Sequence, residues 1–235
     1  MPRLVFDIET VGEDFQELDE ATQEAITAWV RRYTEDEKER VTLTAQLKER
    51  MGLSPFTGEI VVLGVLDSDK KKGTIYYQAP GASHEDMTEG DFTFKPMSEK
   101  EMLERFWEGA KQYNEFISFN GRSFDAPFMM IRSAVHGIRP TKDLLSNRYL
   151  GSQKSFAQHI DLLEQLTFYG AFRPRPNLHV ATRAFGIKSP KEEMHGEDVA
   201  SYFKAGRYLD IARYNVGDLI ATNQLFLHWQ TYLHF

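Results

Sequence analysis

Asp7 and Glu9 are two carboxylates one residue apart within the apolar run Leu4-Val5-Phe6-Asp7-Ile8-Glu9. In a strand, alternate residues share a face. Both acids then project together while Phe6 and Ile8 turn the other way into packing. Two carboxylates aimed at one place repel unless a positive charge sits between them. A solvated strand face also accommodates an isolated Asp-x-Glu, so the pair alone decides nothing. A second acid, Asp125, closes the run Asn120-Gly121-Arg122-Ser123-Phe124-Asp125 at a helix start, where capping also favours a carboxylate. In Tyr214-Asn215-Val216-Gly217-Asp218, Tyr214 and Asp218 are four residues apart, on one helical face and one turn from each other. Gly217 in a helix interior costs about 1 kcal/mol relative to Ala, which suits a place where something approaches the backbone closely.

These residues need a scaffold, and the flanking patterns outline one. Residues 4–9 have strand composition. Phe15, Leu18, Thr22, Ala25, Ile26, Trp29, Val30 and Tyr33 follow a 3.6-residue period that predicts an amphipathic helix. Thr34 and Glu37 have capping-box spacing for a second helix, which Gly52 and Pro55 stop. Residues 60–66 predict a buried strand and 74–77 its hairpin partner, with a polar loop over 81–91. Ser98 and Glu101 predict a capping box for a helix through Leu103, Phe106 and Trp107. Residues 116–119 predict a strand ending at Asn120-Gly121. Pro127 suits the first turn of a helix that runs to His136 and ends at Gly137. Residues 159–163 fit a strand or a helix start equally. Helical stretches follow at about 177–185, 197–205 and 207–230. The expected fold is α/β, a mixed sheet flanked by helices, in one domain over 1–235 with a charged helical insertion at 13–55.

Composition narrows the chemistry. The chain has no cysteine, which excludes disulfides, zinc–thiolate sites, iron–sulfur clusters and thiol nucleophiles. No apolar run reaches the roughly 18 residues of a membrane helix, and Asp7 falls where a signal peptide needs apolar residues. The expectation is a cytoplasmic protein with no membrane partner. The formal charge of −7 argues against a uniformly basic surface for nucleic acid. Resolved along the chain, residues 13–50 hold 11 acids and 6 bases, whereas 139–191 hold nine bases and three acids with Tyr149, Phe156, Phe168, Tyr169 and Phe172 interleaved. Basic charge with aromatic faces is how single strands are held without sequence preference.

Asp-x-Glu on a first strand, Asn-Gly-x-x-Phe-Asp after a later strand and Tyr-x-x-x-Asp on a C-terminal helix occur in that order. Together they resemble the three exonuclease motifs of the DEDD superfamily of 3′–5′ exonucleases. The tyrosine places the resemblance in the DEDDy branch, and the wording is most similar to the proofreading exonuclease domain of family B DNA polymerases. With the sequence ending at Phe235, the expectation is a stand-alone relative. The resemblance implies a ribonuclease-H-like fold with Asp7, Glu9, Asp125 and Asp218 converging on two divalent cations, Mg²⁺ or Mn²⁺. It implies Tyr214 as the residue that orients the attacking water, since a phenol of ordinary pKa about 10 is a poor base at neutral pH.

The implied reaction releases nucleoside 5′-monophosphates from the 3′ end of single-stranded DNA or an unpaired terminus. Thr10, Asn120 and Phe124 are candidate substrate contacts, although Phe124 also suits a core. Lys188 and Lys191, in a loop over 187–196, are candidate strand contacts. A 3′–5′ exoribonuclease is the nearest alternative, because the metal site does not discriminate the sugar. An inactive ribonuclease-H-like nucleic-acid-binding module is another, opposed by the presence of all four carboxylates and the tyrosine. His159 and Asp161 form a polar pair that could support the site from behind. His84, Glu85 and Asp86 read as solvated loop. The sequence identifies no protein partner and assigns no role to the acidic insertion.

Overall fold

The computed structural model describes residues 1–83, 85–188 and 194–234. Strands β1 (Arg3–Gly12), β2 (Gly58–Asp67), β3 (Lys72–Tyr77), β4 (Met87–Glu89), β5 (Phe92–Pro96), β6 (Glu115–Ser118) and β7 (Gln158–Asp161) form one mixed sheet. Its order is β4-β5-β3-β2-β1-β6-β7. β1 lies inside the sheet, antiparallel to β2 and parallel to β6. Between the strands run α1 (Glu20–Tyr33), α2 (Glu37–Glu49), α3 (Glu99–Ala110) and α4 (Asp125–Val135). After β7 come α5 (Leu162–Leu166), α6 (Leu178–Ala184), α7 (Val199–Lys204) and the long α8 (Tyr208–Tyr232).

Period-2 alternation in β1 sorts its side chains between two cores. Leu4, Phe6 and Ile8 pack with α3 and α4 through Met102, Phe106, Trp107, Phe128 and Met129. Val5 and Val11 face the opposite layer, where Ile211, Leu219 and Phe226 of α8 pack. Asp7 and Glu9 share this second face, beneath α8. With helices over both faces, the central strands read as continuous apolar runs rather than as half-polar ones.

Several elements differ from the sequence expectation. α1 begins at Glu20, capped by Asp19, with Phe15 and Leu18 ahead of it. α2 is capped by Asp36, which accepts from the Lys38 and Glu39 amides. Thr34 instead donates its hydroxyl to Glu39 at 2.5 Å, so the Thr34–Glu37 box does not form. Aspartate is as good a cap as threonine, and Asp36 sits one residue before the first turn. The polar stretch 81–91 contains β4, which Arg213 of α8 holds through a two-pronged ion pair to Glu89. β5 carries its own signal, the alternation of Phe92 and Phe94 with Thr93 and Lys95. Residues 158–166 resolve as strand and then helix, with Asp161 capping α5. The Ser98–Glu101 box forms as expected.

The insertion after β1 is pinched at its base. Gly12 pairs with Gly58, and the Glu13 amide donates to Thr57 O at 2.9 Å. α1 buries only Val30 and α2 buries nothing, so the two helices stand away from the sheet as a hairpin.

Candidate active site

On β1, alternation brings the Asp7 and Glu9 side chains to the α8 face. A β-bulge follows at once: Glu9 pairs with Val62 and Thr10 with Ile60, leaving Val61 as the extra residue of β2. Opposite Asp7 in the register is Gly64. A Cβ at Gly64 would lie 1.8 Å from Asn215 Oδ1 and 2.8 Å from a Leu219 methyl. The missing side chain is therefore what lets α8 settle on the sheet. One result is a 2.7 Å hydrogen bond in which Asn215 Nδ2 donates to Asp7 Oδ2. Asn215 is fully buried. Three residues further along the helix, Asp218 arrives beside the two strand carboxylates. Asp7, Glu9 and Asp218 each place an oxygen within 4.8 Å of the others.

Asp125 stands beside this group rather than among its three members. It opens α4, is buried, and accepts the Ile8 amide on Oδ1 at 3.0 Å. β1 and β6 stop pairing at Val5 and Ile117, so Asp125 takes up a strand amide beyond the last residue paired with β6. The loop that delivers Asp125 is itself held by Asp161. That side chain accepts the Asn120 amide at 2.9 Å and the Arg122 amide at 3.0 Å, while also capping α5. Asn120 adopts a left-handed φ of 63°, a conformation that asparagine tolerates better than most residues. Behind the loop, buried His159 contacts Ser118 Oγ through Nε2 at 2.7 Å and Leu144 O through Nδ1 at 2.9 Å. Burial lowers its pKa to about 3, so it stays neutral: Nδ1–H donates to Leu144 and Nε2 accepts from Ser118.

The electrostatics follow from crowding acids in a dry place. Burial first, then the charges of Asp125, Glu9 and Asp218, push Asp7 well above the usual carboxylate range; the Asn215 hydrogen bond opposes this only in part. Asp125 is raised to about 7, mainly by burial, against the lowering effect of its backbone hydrogen bonds. Tyr214, half-buried and hydrogen-bonded to Asp218, has its phenol pushed far above its ordinary value by burial and then by Asp218, Glu9 and Asp7. It therefore keeps its proton at neutral pH. A set of carboxylate oxygens that cannot all ionise without compensation fits hard divalent cations, which take oxygen ligands and supply the missing positive charge.

Residues 82–234 match the model of a family described as a predicted 3′–5′ exonuclease related to the exonuclease domain of PolB. The chain belongs to this family. The match takes in Asp125, Tyr214 and Asp218 and covers well over half of the sequence, while β1 with Asp7 and Glu9 precedes it. Among solved structures, the chain is similar to the family B DNA polymerase from the hyperthermophilic archaeon Pyrobaculum calidifontis, with 18% identity and a TM-score of 0.61. That similarity covers 97% of this chain and 24% of the polymerase, so the chain spans about a quarter of that protein's length. It establishes the fold as the ribonuclease-H-like fold of the PolB exonuclease region. No curated protein matches.

Thr10 donates its hydroxyl to Gly52 O at 2.6 Å, tying β1 to the turn at Met51–Leu53. Phe124 is partly buried against the α3–α4 core, its ring 5.6 Å from that of Phe128. Lys188 is exposed beyond the end of α6. Lys191 and His84 lie outside the described residues. Nothing in the spacing of the sequence singles out Asn215 or Gly64. Among the described residues, no helix is long and apolar enough to cross a membrane.

Proposed function

We propose that the chain is a single exonuclease domain over 1–235, carrying the 13–55 insertion. Its reaction is hydrolysis of the terminal phosphodiester at the 3′ end of single-stranded DNA or of an unpaired 3′ terminus. The observation that carries this reading is the convergence of Asp7, Glu9 and Asp218 within 4.8 Å, with Asp125 adjoining. Asp7, Glu9, Asp125 and Asp218 would hold two divalent cations, Mg²⁺ with Mn²⁺ as a substitute. Such ions lower the pKa of a bound water and stabilise the charge that develops on the leaving 3′-oxygen.

The chain's own groups do the positioning. Tyr214 retains its phenolic proton and orients the attacking water, because its raised pKa removes it as a base. Asn215 fixes the Asp7 carboxylate, and Asp161 fixes the loop that presents Asp125. Asn120 and Phe124, on that loop, are the proposed contacts for the terminal nucleotides, with Thr10 nearby on β1. Lys188 and Lys191 would contact strand phosphates. Water adds to phosphorus, the bond from phosphorus to the 3′-oxygen of the preceding nucleotide breaks, and a nucleoside 5′-monophosphate leaves. Kinship with the exonuclease domain of PolB favours DNA over RNA.

The test uses purified protein and strands of DNA and RNA with free or 3′-phosphorylated ends, in Mn²⁺ or in EDTA. Expected are nucleoside 5′-monophosphates, identified by mass, from free 3′ ends of DNA and only with metal. Internal fragments, 3′-monophosphates or equal turnover in EDTA would contradict the proposal.

A further inference from the structure

Beyond α5 the backbone does something unusual for aromatic residues. Phe168 and Tyr169 adopt consecutive left-handed conformations, with φ of 48° and 57°, followed by Gly170 at 95°. Aromatic side chains disfavour that region, and such strain persists only where the surroundings enforce it. Here the surroundings do. The Tyr169 amide donates to Glu164 O at 2.7 Å and the Phe172 amide to Thr167 O at 3.2 Å. The Tyr169 hydroxyl accepts from the Leu150 amide at 3.1 Å and from Gln165 Nε2 at 3.0 Å, while Arg148 donates to Tyr169 O at 3.0 Å. The product of this bracing is an aromatic ridge held out to solvent. Phe168 and Phe172 are 53% and 64% exposed, with ring centroids 6.4 Å apart.

Phenylalanine pairs are normally buried, and a braced pair left in water marks a surface that meets something. Its surroundings indicate what. The segment 139–188 carries eight bases against three acids within a chain of net charge −7. Its place in the fold agrees. α5 joins the ridge directly to Asp161, the residue that holds the Asn120 and Arg122 amides ahead of Asp125. A five-residue helix is about 7.5 Å long, so only one short element separates Asp161 from the start of the ridge.

We propose that Phe168 and Phe172 form a stacking subsite for unpaired bases of the strand that feeds the carboxylate site. The subsite rests on the nucleic-acid reading above, and it reads base faces rather than sequence. It would select unstacked strands over duplex, whose bases present no free face.

Binding in EDTA separates this subsite from the chemistry. Fluorescence anisotropy is measured with a short oligothymidylate and with an abasic strand of equal length and phosphate number. The wild-type chain should favour the base-bearing strand by at least about fivefold. Phe168→Ala/Phe172→Ala should lose that preference, and Phe172→Trp should retain it. Equal wild-type affinity for both strands, no binding of either, or a preference that survives the double substitution would overturn the ridge. Loss of all nuclease activity in Mn²⁺ with the base preference intact would instead sink the catalytic reading and leave the ridge standing.

Discussion

Asp7 shows how much of a site a sequence can carry and where it stops. Its pairing with Glu9 on one strand face is legible because strands alternate, and the order of the three motifs supplies the rest of the carboxylates. What spacing does not reveal is Asn215, an amide between Tyr214 and Asp218 that reads as an ordinary helix residue. Only the docked helix shows its Nδ2 on Asp7 Oδ2 at 2.7 Å. Residues that orient ligands are typically worth about 10–100-fold in metal affinity or activity. Asn215→Ala is expected to lower nuclease activity and Mn²⁺ affinity within that range; titration calorimetry and initial rates measure both. Protons offer a second measurement. Asp7 and Asp125 are raised in the metal-free fold, so that state binds protons the unfolded chain does not. Their stabilisation is present below the ordinary carboxylate range and fades as pH rises through the raised values, which for Asp125 means about 7. In the proposed site cations would take the place of those protons, so saturating Mn²⁺ should raise Tm more at about pH 8 than at about pH 5.5, by at least about 3 °C. An equal shift at both pH values would contradict it.

At the scale of elements, the site depends on how closely α8 lies on the sheet, and Gly64 sets that distance. Within the run Ile60-Val61-Val62-Leu63-Gly64-Val65-Leu66 a glycine reads as a mere weakness of the strand. In the structure, a close approach of helix to strand is made at Gly64. Gly64→Ala should cost about 2 kcal/mol in denaturant unfolding, in the range of an overpacked core. It should also reduce nuclease activity, because α8 must shift and loosen Asn215 from Asp7. A variant as stable and as active as the wild type would refute this. Short elements are the hardest to read. β4 is three residues within a polar stretch and exists through its pairing with β5 and the Arg213–Glu89 contact, both invisible to local pattern. β5 is legible through its Phe92/Phe94 alternation. The Thr34–Glu37 box fails because Asp36 is the better-placed cap, a competition that spacing alone cannot rank.

For the whole molecule, the net charge of −7 is an average over parts of opposite sign. The acidic insertion stands off the sheet as its own helical hairpin, whereas the basic, aromatic stretch follows β6 and runs past β7 toward α6. Charge reversal at Lys188 and Lys191 should weaken strand binding and flatten its dependence on salt, by about 0.7 in logarithmic slope for each phosphate no longer neutralised. An unchanged slope would remove both lysines from the footprint. The most direct measurement of the whole proposal follows a 5′-labelled single strand of DNA with Mn²⁺, using the wild type, Asp7→Ala and Asp218→Ala. The wild type should shorten the strand from its 3′ end one nucleotide at a time and stop in EDTA, with both variants reduced by more than about 100-fold. Full activity in either variant would contradict it.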